Sequence, residues 1–464
     1  MENKLKPYDK YKQSDATYIE MYPQHWNTTK LRFVFEERKE KNKGRKTDNI
    51  LSVMKNKGVI PYSEKGNVGN KHSEDIERYN VVHEDDIVMN SMNVIIGSVG
   101  RSKYYGALSP VYYVLKNRDS SKYNIKYYEY VFRMTSLQRE LTKYGKGILA
   151  HRMRIPMEML KNLELPYPPM DEQVQIVKFL NLKISKVKRF ISYKKKLISS
   201  LKEQKQVIIN EVITKGINPN TTMKSSGIEW IGDIPEDWDT IRCKYLFQEI
   251  DTRSTTGLEK HLSMSQKYGL IPDDELGERR LLSENYIGGK LCIKDDLVLN
   301  RLKAHLGVFA LAPQKGVISP DYTVLRPNEK IYPPFAEIVL KSQKCRKELR
   351  IRVKGIVEGF WRLYTDDFNN IVLPIPNFEE QVQIMNFIND ESTFIDKTIA
   401  RIEREIELLI EYQTTLISDV VTGKVDIRNV VTEGILEDAI DIEDDVEEEL
   451  DTNEEVVDSE ECEV

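Results

Sequence analysis

Cysteine is scarce in this chain, with only Cys243, Cys292, Cys345 and Cys462 among 464 residues. No two of them have CxxC spacing, so neither a zinc site nor a disulfide framework is expected. A reducing cytoplasm is the simplest setting for such a chain. The six histidines, His25, His72, His83, His151, His261 and His305, show no metal-ligand spacing. No run of eighteen apolar residues occurs, which excludes an expected membrane-spanning helix. The opening MENKLKPYDKYKQSD lacks the apolar core of a signal peptide. A GxxxxGK[ST] phosphate loop is missing, because Gly145-Lys146-Gly147 has neither the spacing nor the following Ser or Thr. No GxGxxG loop marks a cofactor. The expectation is a chain with no catalytic residues, no metal and no cofactor of its own.

Basic residues are missing from positions 429–464, which hold 17 acidic side chains. The rest carries 69 basic against 57 acidic residues, a body of net charge +12. A basic body fits a polyanion partner. The segment 425–464 is expected to be an acidic, disordered tail, since it is too charged and too poor in aromatics to fold alone.

What the chain does contain is a duplication. Asp171-Glu172-Gln173-Val174-Gln175-Ile176 returns as Glu379-Glu380-Gln381-Val382-Gln383-Ile384, at an offset of 208. Pro23-x-x-Trp26 returns as Pro235-x-x-Trp238, at an offset of 212. Between them, Asp85-Asp86-Ile87-Val88-Met89-Asn90 returns as Asp295-Asp296-Leu297-Val298-Leu299-Asn300, and Ser109-Pro110-x-Tyr112 as Ser319-Pro320-x-Tyr322. A period this long is a repeated domain and not a solenoid.

Each copy holds short β-branched and aromatic runs separated by Gly, Pro and Asn, which read as strands of a mixed α/β domain. Then proline and glycine vanish, from Asp171 to about Thr214 and from Glu379 to about Thr422. Apolar residues recur there in steps of four and three: Leu180, Ile184, Val187, Ile191, Ile198, Leu201, Ile208 and Val212, then Ile388, Ile395, Ile399, Ile402, Ile406, Leu409, Leu416 and Val420. Lys194, Lys205, Ser392 and Gln413 interrupt the seams. This pattern predicts coiled-coil helices of about 44 residues, about 66 Å long at 1.5 Å per residue. The simplest arrangement is an antiparallel pair with pseudo-two-fold symmetry, whose outer faces remain for partner helices. The expected domains are 1–168, 169–216 (helix), 217–376, 377–424 (helix) and the tail.

Two patterns invite a catalytic reading and do not sustain it. Tyr332-Pro333-Pro334-Phe335 resembles the Asn/Asp-Pro-Pro-aromatic motif of amino-methyltransferases. Its leading Tyr lacks the amide or carboxylate that would accept from the target amine, so a strand-to-helix turn is expected. The pairs Asp85-Asp86 and Asp295-Asp296 read as turn residues, because adjacent strand residues point to opposite faces.

The segment Lys224–Trp238, KSSGIEWIGDIPEDW, resembles the lead-in to a target recognition domain of type I restriction–modification specificity subunits. The Leu-Pro-x-Pro…Glu-Gln-x-x-Ile junctions at 165–176 and 373–384, and Val-Val-Thr-Gly-Lys at 420–424, are similar to that family too. The first lead-in departs from the pattern, since Gln13–Tyr18 replaces Ser-Gly-Ile-Glu-Trp. The resemblance implies a DNA-specificity subunit without its own catalysis. Each domain would read one half of a bipartite, asymmetric site on double-stranded DNA. The helices would set the gap and dock two methyltransferase subunits, after which two restriction/translocase subunits can join. S-adenosylmethionine, ATP and Mg²⁺ would then belong to those partners. The competing reading of the residues is a coiled-coil scaffold whose globular domains bind protein.

Candidate DNA contacts are the equivalent loops with Asn90, Ser91, Asn93 and Asn300, Arg301, Lys303. To these are added Arg101, Lys103, Lys146, Arg152, Arg154, Lys354 and Arg362 from basic stretches beside glycines. Arg and Lys suit guanine and phosphate, Asn suits adenine. Trp26, Trp238, Tyr112 and Tyr322 are expected in the core.

Overall fold

The computed structural model describes residues 5–54, 57–66, 72–73, 75–92, 97–145, 154–265, 268–275, 286–355 and 361–430. The chain divides into two compact units, Met1–Lys195 with Glu403–Val464, and Lys196–Ile402. The division cuts through both long helices, so each unit owns one half of each.

In unit 1 a four-stranded antiparallel sheet is built from β1 (Phe35–Glu37), β2 (Ile87–Asn90), β3 (Val99–Arg101) and β4 (Tyr112–Asn117), in the order β1-β4-β2-β3. The alternation of a strand sends Ile87 and Met89 into one core and Val88 into another. The first core lies under helices α1 (Ile125–Phe132) and α2 (Thr135–Thr142) and the start of the long helix α3 (Met170–Lys215). The second is covered by the hairpin Leu51–Met54/Gly58–Pro61.

Unit 2 repeats this plan with β5 (Phe247–Ile250), β6 (Leu297–Asn300), β7 (Phe309–Leu311) and β8 (Tyr322–Pro327), ordered β5-β8-β6-β7. Leu297 and Leu299 face helices α4 (Pro333–Lys341) and α5 (Gln343–Arg352), while Val298 faces the hairpin Leu262–Ser265/Gly269–Pro272. Tyr332 is the N-cap of α4 with proline in its first turn, the turn expected for Tyr332-Pro333-Pro334-Phe335.

The second long helix, α6, spans Phe378–Val421. Both long helices begin with acidic residues, which the helix dipole favours. In unit 1, Ile176 and Leu180 of α3 share a core with Leu416 and Val420 of α6. Further along, Lys194 Nζ meets Glu405 Oε2 at 2.5 Å, so the two halves run antiparallel. Leu180, Ile184, Val187 and Leu416 are buried there, and Ile191, Ile406 and Leu409 half-buried. In unit 2, Ile209 and Val212 share a core with Ile384 and Ile388, and Lys205 Nζ meets Asp396 Oδ2 at 2.8 Å, again antiparallel. Ile395, Ile399 and Ile402 are buried and Ile198, Leu201 and Ile208 half-buried. The two lysines that interrupt the α3 seam thus each find an acidic partner on α6.

Unit 1 gathers both ends of the described chain. Asp426 N donates to Lys6 O at 2.7 Å, and the Tyr11 hydroxyl donates to Gly423 O at 3.1 Å. Residues 425–430, expected as the start of the tail, instead pack here, with Ile427 only 1% exposed. Burial of its side chain contributes an apolar term that holds this segment in place. Residues 431–464 lie outside the described ones.

Candidate nucleic-acid interface

The geometry starts from the acidic turns. Asp85 and Asp295 adopt positive φ, 65° and 69°, which tightens the chain before β2 and β6. The following Asp86 and Asp296 are buried, and each accepts a backbone N–H from three residues earlier at 2.9 Å. A guanidinium grips each with two bonds. Arg38 bonds Asp86 at 2.7 and 3.0 Å, and Arg326 bonds Asp296 at 2.8 and 2.9 Å. These hydrogen bonds hold both arginines above their ordinary pKa. Among the described residues, no group of three or more His, Cys, Asp or Glu is placed to hold a metal.

At the far end of β2 and β6 an asparagine folds the chain into a loop. Asn90 Oδ1 accepts from Met92 N at 3.0 Å, and Asn300 Oδ1 accepts from Leu302 N at 3.1 Å. This is the Asx turn for which asparagine is suited. The next carbonyl then binds a distant segment. Ser91 O accepts from Ile155 N at 3.0 Å, and Arg301 O accepts from Leu363 N at 3.0 Å. The same bond in both units ties the loop to the residue that follows Arg154 in one and Arg362 in the other.

Several candidates are engaged by bonds within their own unit. Ser91 is fully buried, with its hydroxyl donating to Val111 O at 2.7 Å. At the equivalent position, Arg301 Nε donates to Thr323 Oγ1 at 2.6 Å and a second nitrogen reaches Glu249 at 3.4 Å. Arg101 pairs with Asp85 at 2.7 Å and Glu129 at 3.3 Å. Lys354 pairs with Asp367 at 2.8 Å, and its backbone exchanges two bonds with Arg362. Lys103, Lys303 and Arg154 are exposed, and Arg362 half-buried. Asn93, Lys146 and Arg152 lie outside the described residues. Trp26 and Trp238 are fully buried, as expected of core residues, and Tyr112 and Tyr322 pack partly buried against the hairpin-side cores.

One element beside the loop was missed. Helix α5 packs on the short turn Ala304–Leu306 that continues the unit 2 loop. The ring of His305 there meets Trp361 edge-on at 5.5 Å. Burial, and then the nearby Arg350 charge, push His305 below its ordinary pKa. The signal was present in the sequence: QKCRKELRIR carries five basic residues and one acidic.

The family model described as "Type I restriction modification DNA specificity domain" matches residues 23–203 and 235–408. The MjaVIII type I restriction enzyme specificity subunit of Methanocaldococcus jannaschii is 24% identical over 371 residues, 75% of this chain and 81% of that protein. The putative MjaX specificity subunit of the same organism is 26% identical over 431 residues, covering 89% and 96%. A solved structure on complex assembly and conformational transition of the type I R-M system contains a chain with TM-score 0.63 at 13% identity, covering 87% of this chain and 99% of that one. The HsdS subunit from Thermoanaerobacter tengcongensis has TM-score 0.50 at 14% identity, covering 87% and 98%.

Proposed function

This chain belongs to the type I restriction–modification DNA specificity family, with two target recognition domains, and we propose that each domain reads one half of a bipartite, asymmetric DNA site. The observation that carries this reading is the paired loops. Asn90 and Asn300 build the same turn, and the same backbone bond ties each loop to its second segment. The residues that follow in the two loops differ, Met92-Asn93 against Leu302-Lys303. Equal frames with unequal side chains suit two readers of different sequences, and so a non-palindromic site.

One small domain contacts few base pairs, each worth about 1–3 kcal/mol of discrimination. Two domains in one chain add those energies. The long helices set the unread gap between the half-sites. They also dock two methyltransferase subunits through apolar residues that the seam leaves exposed, such as Phe190 and Tyr193 in unit 1 and Phe394 in unit 2. In this reading the chain is non-catalytic and cytoplasmic. S-adenosylmethionine, ATP and Mg²⁺ act on the methyltransferase subunits and on two restriction/translocase subunits.

The test is selection from random duplex DNA by the chain purified with its methyltransferase subunit. Two different short blocks at one fixed gap are expected. A palindromic site overturns the asymmetry, and an intact complex that enriches no block overturns the DNA-reading function.

A further inference from the structure

We propose that helix α5 of unit 2, with the loop beneath it, is an anchor for the phosphates of duplex DNA that unit 1 lacks at the equivalent place. The inference rests on the DNA-reading function above and adds to it a division of labour: the second unit supplies more of the sequence-independent grip.

The equivalence of α2 and α5 is fixed by two glycines. A Cβ built on Gly97 would lie 3.1 Å from Gln138 Nε2, and one on Gly307 would lie 3.0 Å from Arg346 Cδ. Both glycines have positive φ, 90° and 81°, and follow the equivalent loops. Gln138 and Arg346 therefore occupy the same position, one on α2 and one on α5.

Their surroundings differ in charge. Helix α2, TSLQRELT, carries Arg139 against Glu140. Helix α5 carries Lys344, Arg346, Lys347, Arg350 and Arg352 against Glu348 alone. Glu348 is taken by Arg352, at 2.5 and 3.0 Å. Among the described residues no carboxylate forms an ion pair with Arg346 or Arg350.

Hydrogen bonding differs too: α2 has one buried orphan, the Ser136 hydroxyl, whereas α5 and the turn beneath it have two, both nitrogens. Gln138 Nε2 donates to Phe132 O at 3.3 Å and to Arg133 O at 3.5 Å, both inside unit 1. Arg346 Nε and His305 Nδ1 are buried and have no hydrogen-bond partner among the described residues. Buried polar atoms are ordinarily paired, so two orphans on α5 and on the turn it contacts mark a place for a ligand. The ligand that fits is an anion with several oxygens. A guanidinium fork matches phosphate, and the uncompensated charge of α5 supplies the attraction.

The experiment uses the full chain and a labelled duplex of random sequence, with affinity measured across a salt series. Each phosphate contact contributes about 0.9 to the slope of log affinity against log salt. Replacing Arg346 and Arg350 by the residues unit 1 has at those positions, R346Q with R350T, is expected to lower the slope by about 1.8. The exposed R350T alone is expected to lower it by about 0.9 and spares the buried packing if the double variant melts early. The reciprocal Q138R with T142R is expected to raise the slope. A wild-type slope that stays unchanged in R350T and in a folded double variant overturns the anchor while leaving DNA reading intact. Wild-type protein with no salt-dependent duplex binding overturns both.

Discussion

Gln173 and Gln381, at an offset of 208 in sequence, make the same three hydrogen bonds in their respective units. Gln173 Oε1 accepts from Asn124 N at 2.8 Å, and its Nε2 donates to Lys122 O at 3.0 Å and Pro168 O at 2.9 Å. Gln381 Oε1 accepts from Tyr332 N at 2.7 Å, and its Nε2 donates to Lys330 O at 3.0 Å and Pro376 O at 2.9 Å. Each amide locks the first turn of a long helix to the turn that starts a domain helix. Both side chains are fully buried. Gln381→Leu keeps the volume but orphans three backbone groups. A loss of about 2–4 kcal/mol is expected by urea denaturation, and a loss under about 1 kcal/mol would mean that water replaces the amide.

The buried aspartates repeat, but their partners do not. Arg38 follows β1, whereas Arg326 lies on β8, so the guanidinium reaches the equivalent carboxylate from a different strand. Asp296→Ala removes the acceptor for Arg326 and for Ile293 N. It should cost about 1–3 kcal/mol, the usual consequence of removing a buried acceptor, because the Arg326 side chain is 38% exposed and water can take it up. Replacing both Asp296 and Arg326 by apolar residues should recover part of that loss. A double variant no better than the single one would show that the Ile293 bond, and not the pair, carries the stability.

Ile399 is 8% exposed in unit 2, on the α6 face that carries the helix seam. Ile399→Asp places an unpaired carboxylate there and is expected to destabilise unit 2 by more than about 3 kcal/mol. The change should appear as early loss of helical signal on heating. If methyltransferase binding and site choice also survive it unchanged, the helices do not set the gap.

Trp238 Nε1 donates to Glu380 Oε1 at 3.1 Å. Burial raises the Glu380 pKa above its ordinary value, against the lowering effect of the tryptophan bond. A carboxyl with a raised folded pKa favours the native state below its unfolded pKa, and that contribution is lost as pH rises through the folded one. Glu380→Gln keeps an acceptor for Trp238 without the charge. The variant should therefore gain stability relative to wild type as pH is raised from about 4 to 8. Melting temperatures measured across that range check the sign, and a gain confined to the acid side would reverse it.

How much of this was legible in the sequence follows from the range over which each interaction acts. The helices were legible because their seam is a local periodicity: Leu180, Ile184 and Val187 are buried as their spacing implies. The acidic turns were legible because Asp85 and Asp295 sit before runs with strand character. The site was legible only in part. Asn90, Ser91 and Arg301 look like solvent-facing readers in a loop sequence. Their actual bonds, to Met92 N, Val111 O and Thr323 Oγ1, depend on where the chain returns.

Sequence by itself determined that this is a duplicated α/β chain with two long helices, a basic body and an acidic end, because composition and local period suffice for those. Only the tertiary structure decided that each compact unit takes half of each helix. It alone placed 425–430 against the N-terminal segment, and Arg346 where Gln138 stands in the other unit. Those outcomes depend on contacts between residues far apart in the chain, whose closure no local pattern encodes.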